Sequence, residues 1–254
     1  MKKLLLGAAT LLAASSFTWA SIIFDNFNIS LGHFGYAPAF SSTTSQLNAG
    51  ASTTTWDSTA PDPMEGAGAV KIIATHSATA SSSRIRFLSG GPPYNSANAG
   101  IPAANTTFTT TSGTDGYIGF YYRAVTTATG WQVAINLDGG TGATADMDGS
   151  TKVNANTDGL WHLVEWNLDS TTVWGAVTGI GGGHSGSVPN NTHSIDSLYF
   201  YNTTTVAAGN VSTFYVDFVA KSDSGSIAAL VPEPSTLALA LLGGFGLLVI
   251  RRRG

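Results

Sequence analysis

The chain has 254 residues, 43% of them hydrophobic and only 10% charged, with no cysteine and a formal net charge of −4. Without cysteine there are neither disulfides nor thiolate metal sites, and the acidic balance excludes a protein that grips a nucleic-acid backbone. Setting aside the basic residues at the two ends sharpens the point, because residues 21–230 carry six basic and fourteen acidic side chains, a net charge of −8.

At the N-terminus Lys2 and Lys3 precede an apolar run through Leu4–Leu6 and Leu11–Ala14. Thr18-Trp19-Ala20 then places small residues at the third and first positions before a cut at Ala20–Ser21. This is the pattern of a secretory signal peptide over 1–20, too short for a comfortable membrane span. The next 210 residues, 21–230, suit one large all-β domain with a substantial core.

Along that domain the strand signals come in order as "IIFDNFNI", "AVKIIATHS", "SRIRFL", "YIGFYYRAV", "GWQVAINLDGG", "LWHLVEWNL", "TVWGAVTGI", "DSLYFYN" and "STFYVDFVAKS". The clearest is "GWQVAINLDGG", in which Trp131, Val133, Ile135 and Leu137 alternate with Gln132, Ala134, Asn136 and Asp138, the period of a half-buried strand. The last strand alternates likewise, which predicts Phe214, Val216 and Phe218 on one face and Tyr215, Asp217 and Val219 on the other. Between the strands lie turn-rich connections such as "SGGPPYNSANAG", "DGGTGATADMDGS" and "GIGGGHSGSVPNN". Within the second of these, "DMDGS" lacks the downstream glutamate of a calcium loop and reads as a hairpin turn. No amphipathic helix of useful length interrupts the pattern, so the expected fold is two packed antiparallel sheets, a β-sandwich of the jelly-roll kind.

The order of these pieces supports a resemblance. "FDNFN" near the start, "GAGAVKI", "DGLWHLVEWNLD" at Asp158–Asp169 and the closing "IDSLYFY" and "FYVDFVA" resemble the plan of concanavalin A-like, laminin G-like and carbohydrate-binding-module jelly rolls. The resemblance implies that carboxylates on the first and last strands, here Asp25 and Asp217, hold a structural Ca²⁺, an ion that takes hard oxygen ligands. Solvated strand-end aspartates are the plain alternative.

Catalytic material is thin. The central domain has two glutamates, Glu65 and Glu165, and its histidines form no HExxH arrangement; no GxSxG elbow is present. No catalytic residue is therefore assigned, and His162 is expected to order its own strand by hydrogen bonding. Aromatic rings that could cover a sugar face are plentiful, but Trp131 and Trp166 are in phase with core residues. Trp161 is out of phase with its strand's apolar set, as are Tyr121 and Arg123 with Ile118, Phe120 and Tyr122. These three are the candidate carbohydrate contacts.

The chain ends "VPEPSTLALALLGGFGLLVIRRRG". Leu237 to Ile250 is uncharged for 14 residues, about 21 Å as a helix against about 30 Å of hydrocarbon, a marginal transmembrane segment. Arg251, Arg252 and Arg253 would hold its end on the cytoplasmic side. Pro232-Glu233-Pro234, the glycine-broken apolar run and the terminal arginines resemble the PEP-CTERM sorting signal of Gram-negative bacteria, here 231–254. That resemblance implies an inner-membrane precursor facing the periplasm, processing by an exosortase near Pro232, Glu233 and Pro234, and association with exopolysaccharide and biofilm matrix. The leading functional expectation is an exported, non-catalytic envelope or matrix protein; the alternative is a secreted glycoside hydrolase or lyase on the same fold.

Overall fold

The structure, a computed structural model, describes residues 21–41, 46–77, 83–89, 106–111, 113, 115–139, 146–176, 188 and 192–231. The segments expected as signal peptide and transmembrane span, and the sorting residues Pro232, Glu233, Pro234 and Arg251–Arg253, lie outside them. Thirteen strands form among the described residues: β1 (Ser21–Asp25), β2 (Thr53–Asp57), β3 (Ala69–Thr75), β4 (Ser83–Leu88), β5 (Thr107–Thr109), β6 (Tyr117–Val125), β7 (Trp131–Gly139), β8 (Asp146–Ser150), β9 (Val153–Asn154), β10 (Asp158–Asn167), β11 (Trp174–Ala176), β12 (Thr192–Asn202) and β13 (Val211–Ser222).

They make two antiparallel sheets. The six-stranded sheet runs β10-β6-β13-β3-β2, with β1 also paired to β13; the seven-stranded sheet runs β11-β8-β7-β12-β4, with β5 on β12 and β9 on β7. The inner faces come from the period-two positions. Ile118, Phe120 and Tyr122 of β6 and Phe214 and Val216 of β13 meet Val133 and Ile135 of β7 and Leu198 and Phe200 of β12 in one buried cluster. Aromatic rings bridge the sheets at its centre: Phe214 lies 4.6 Å from Phe200 and 4.8 Å from Trp131, and Phe120 lies 6.4 Å from Phe200. Trp166 and Trp174 are buried with their indole N–H groups donated to the carbonyls of Thr151 and Asn167, each at 2.8–2.9 Å, so no polar cost is left at those ring edges.

Three features depart from the sequence pattern. "DMDGS" is strand β8, paired to β7 and β11, rather than a hairpin turn. "TTTWD" forms β2 at the edge of the six-stranded sheet, although its threonines show no apolar alternation; β-branched residues suit a half-exposed edge without it. The third lies in β13, where Asp217 faces Tyr121 but Ala220 faces Gly119, so β13 carries one extra residue against β6. At this bulge Phe218 has φ +49° and its N–H donates to Asp217 Oδ1 at 2.7 Å. The extra residue inverts the phase beyond it: Val219 enters the central core and Phe218 turns to the outer face.

Candidate functional site

Cross-strand register brings the three predicted carbohydrate contacts together. Trp161 of β10 faces Arg123 of β6, Arg123 faces Tyr215 of β13, and Tyr215 faces Lys71 of β3; in a neighbouring row Leu163 faces Tyr121, which faces Asp217. Trp161 meets the Tyr215 ring edge-on at 6.4 Å, and the Arg123 and Lys71 charges lie 6.0 and 5.7 Å from the centre of that ring. This outer face is covered by the segment between β2 and β3. The Trp161 indole N–H donates to the Pro61 carbonyl at 2.8 Å and the Arg123 guanidinium to the same oxygen at 3.3 Å. Tyr121 is buried beneath Phe218 and Ile227. The Pro61 carbonyl thus occupies the Trp161 N–H and one arm of the Arg123 guanidinium, while Arg123 Nε has no partner among the described residues.

Asp25 and Asp217 have separate partners. Asp25 Oδ2 accepts from the His33 N–H at 2.7 Å and lies 2.9 Å from His33 Nδ1, which raises the His33 pKa above its ordinary value. Asp217 has no solvent exposure. Its oxygens accept the Phe218 N–H at 2.7 Å and the Glu65 N–H at 3.1 Å. Burial, with a smaller push from Glu65, raises its pKa to about 7 against the pull of these amides. Close by, Glu65 Oε2 and Asn28 Oδ1 are shielded oxygens without hydrogen-bond partners among the described residues. The described residues contain no group of three His, Asp or Glu side chains placed to hold a metal.

On the opposite side of the molecule the seven-stranded sheet presents a second aromatic face. Leu198 and Phe200 point toward the facing sheet and Tyr199 and Tyr201 to the other side of the strand, where Tyr199 is buried and Tyr201 half-buried, their rings nearly parallel at 9° and 6.2 Å apart. Arg86 and Arg84 of β4 face them across the ladder, and Ala134 and Gln132 of β7 flank them on the other side. Lys152 sits 4.6 Å above the Tyr201 ring. Beside Tyr199 a groove of about 310 Å³ runs between Asn136, Ser150, Lys152 and Trp174. That falls at the small end of the range for small-molecule sites.

A polar row borders this groove. Arg86 holds both oxygens of Asp196, at 2.9 and 2.5 Å, and Ser197 Oγ donates to Asp196 Oδ2 at 2.6 Å and accepts from Asn136 Nδ2 at 2.9 Å. Asp138 is pushed up to about 6, first by burial and then by the Asp196 charge, with Arg86 opposing. Tyr199 is raised by burial as well, against the favourable charge of Arg84. In the sequence these two tyrosines are aromatic material without a place. The usable local signal is Tyr-x-Tyr in "SLYFYN" beside Arg-x-Arg in "SRIRF", two period-two rows whose pairing is not written in either. His162 bonds within its own neighbourhood, to Asp158 at 2.8 Å and Asn156 at 3.1 Å.

Comparison with known proteins adds an address. Residues 230–253 match the family model of the PEP-CTERM protein-sorting motif, one residue offset from the segment marked out by Pro232-Glu233-Pro234 and the terminal arginines. That motif implies an exported precursor processed by an exosortase. No curated protein matches the chain. Among solved structures the chain is similar to the family 11 carbohydrate-binding module of the cellulosomal cellulase Lic26A-Cel5E of Clostridium thermocellum, with a TM-score of 0.43 and 12% identity over 82% of this chain and 97% of that one.

Proposed function

We propose that this chain is an exported, non-catalytic cell-envelope or matrix protein that associates with polysaccharide through the outer face of its seven-stranded sheet. The observation that carries the reading is the half-buried Tyr201, stacked on a buried Tyr199 and capped by Lys152, beside a groove with convergent hydroxyl, amide and ammonium groups. An inner-membrane precursor, exosortase processing and delivery to an exopolysaccharide matrix complete the path. A structural Ca²⁺ at Asp25 and Asp217 belongs to the same proposal. Its support is the buried Asp217 carboxyl near the unpartnered Glu65 and Asn28 oxygens.

The test is retention of the mature chain on immobilised polysaccharides. Tyr201→Ala should weaken retention about tenfold, as expected for loss of a buried aromatic contact. Trp161→Ala, on the other sheet, should leave it near the native value. The reverse ranking would move the site to Trp161, Tyr121 and Arg123. An enzyme on this fold would rest on Asp138, whose pKa near 6 suits proton transfer at neutral pH. Both oxygens of its neighbour Asp196 are held by Arg86, which favours binding over hydrolysis. New reducing ends released by the native chain but not by Asp138→Asn would establish the enzyme reading instead.

Sorting has its own expected result. Deleting Leu237–Arg253 should shift the protein from the membrane to the soluble fraction, because it removes the apolar run and its basic stop together. Unchanged membrane retention in fractionated cells would contradict it.

A further inference from the structure

The segment just before the sorting motif is not a free linker. Ile227–Leu230 forms a short 3-10 turn in which Ile227 is fully buried. It packs on the outer face of the six-stranded sheet with Tyr121, Phe218 and Ala220, and Met64, Leu163, Leu230 and Val231 close around it. Phe218 is available for this because the β13 bulge turned it outward. The seat beside it is shallow: Glu165, Gly119 and Ala220 share one row across β10, β6 and β13. A Cβ on Gly119 would lie 2.2 Å from the Val164 carbonyl and 2.7 Å from the Glu165 Cβ, so only glycine fits there.

Glu165 closes the seat. Its Oε2 accepts the Ser226 hydroxyl at 3.0 Å and the Ile227 N–H at 2.9 Å, while Ser226 Oγ in turn accepts the Ala228 N–H at 3.1 Å. A charged acceptor thus holds the start of the turn, and Val231, the residue before Pro232, is packed against the domain. Only Pro232–Thr236 separate it from Leu237, five residues that span at most about 18 Å.

We propose that residues 225–231 are a latch, with Glu165 as its positioning residue, which fixes where the chain leaves the folded domain and confines processing to the residues beyond Val231. The proposal rests on the sorting reading for its purpose, since the latch would set the point from which the motif is presented to a membrane protease. A protease binds its substrate extended, and a segment clamped in a 3-10 turn under buried contacts is withheld from it.

Digestion of the full-length precursor in detergent with a nonspecific protease, with fragments mapped by mass, reads the latch without any exosortase. Early cuts in the native chain should fall beyond Val231. Glu165→Ala and Ser226→Ala should each raise cutting within 225–231 about tenfold, the scale of losing a charge-assisted hydrogen bond. Glu165→Gln, which keeps an acceptor oxygen, should restore most of the protection. Equal cutting of 225–231 in native and alanine variants would overturn the latch, as would a glutamine variant no better than alanine. Should Glu165→Ala lower the melting temperature of the whole domain, Ser226→Ala, outside the core, decides. In cells with an exosortase, a native chain left at precursor length would overturn the sorting reading and with it the purpose of the latch; the protease map would still judge the latch itself.

Discussion

Replacing Phe214 with alanine should lower the unfolding free energy by about 3–5 kcal/mol, the cost of removing a large aromatic from a packed core and leaving part of its volume empty. Phe214 has no solvent exposure and touches rings from the facing sheet, Phe200 at 4.6 Å and Trp131 at 4.8 Å, so the void would open at the junction of both layers. Domains are commonly stable by only about 5–15 kcal/mol, so this one change would consume much of the margin. Val125→Ala, at a position 47% exposed on β6, should stay within about 0.5 kcal/mol of the native value. Denaturant unfolding of the two variants checks both numbers. A Phe214→Ala variant as stable as Val125→Ala would mean that the sheets do not meet through this residue.

A second large effect should come from Asp217. Its pKa of about 7 in the folded domain, against 3.8 as a free group, means that the native state holds a proton which the unfolded chain has lost between roughly pH 4 and 7. The stabilisation linked to that proton is fully present below pH 4 and is lost as pH rises through 7, a decline of about 4 kcal/mol for a shift of some three units. Metal-free protein should accordingly melt at progressively lower temperature from pH 5 to pH 7.5. Asp217→Asn, which cannot ionise, should flatten that slope.

The proposed calcium would act at the alkaline end of the same curve. Bound to ionised Asp217, it should add roughly 2.7 kcal/mol at about 100 times its dissociation constant. Asp217→Asn should abolish most of the gain. Melting curves at pH 7.5 with calcium and with chelator separate the two contributions. A native domain indifferent to both would rule out the ion and leave Asp217 as the pin of the β13 bulge.

Local patterning reaches furthest on β6 and β10. Alternation placed Ile118, Phe120, Tyr122, Val164 and Trp166 inside and Tyr121, Arg123 and Trp161 outside, and each lies on that side. Side-chain phase in a strand is a local property with a period of two, so a short window of residues suffices to read it. The all-β class and the terminal sorting features were legible for the same reason: each is carried by contiguous residues.

What the tertiary structure alone decided is how those faces are used. One inserted residue at Asp217–Phe218 reversed the phase of β13, a change invisible to alternation because both Phe218 and Val219 are apolar. The Pro61 carbonyl took the polar edges of Trp161 and Arg123 from 100 and 62 residues away. Arg86 reached Asp196 across 110 residues, assembling the tyrosine face from strands with no local sign of partnership. Glu165, a polar residue on an outward-facing row, became the acceptor for a turn 62 residues further on. Each of these depends on which strands are neighbours and in what register, and that is set by closing long loops around a shared core rather than by any stretch of adjacent residues.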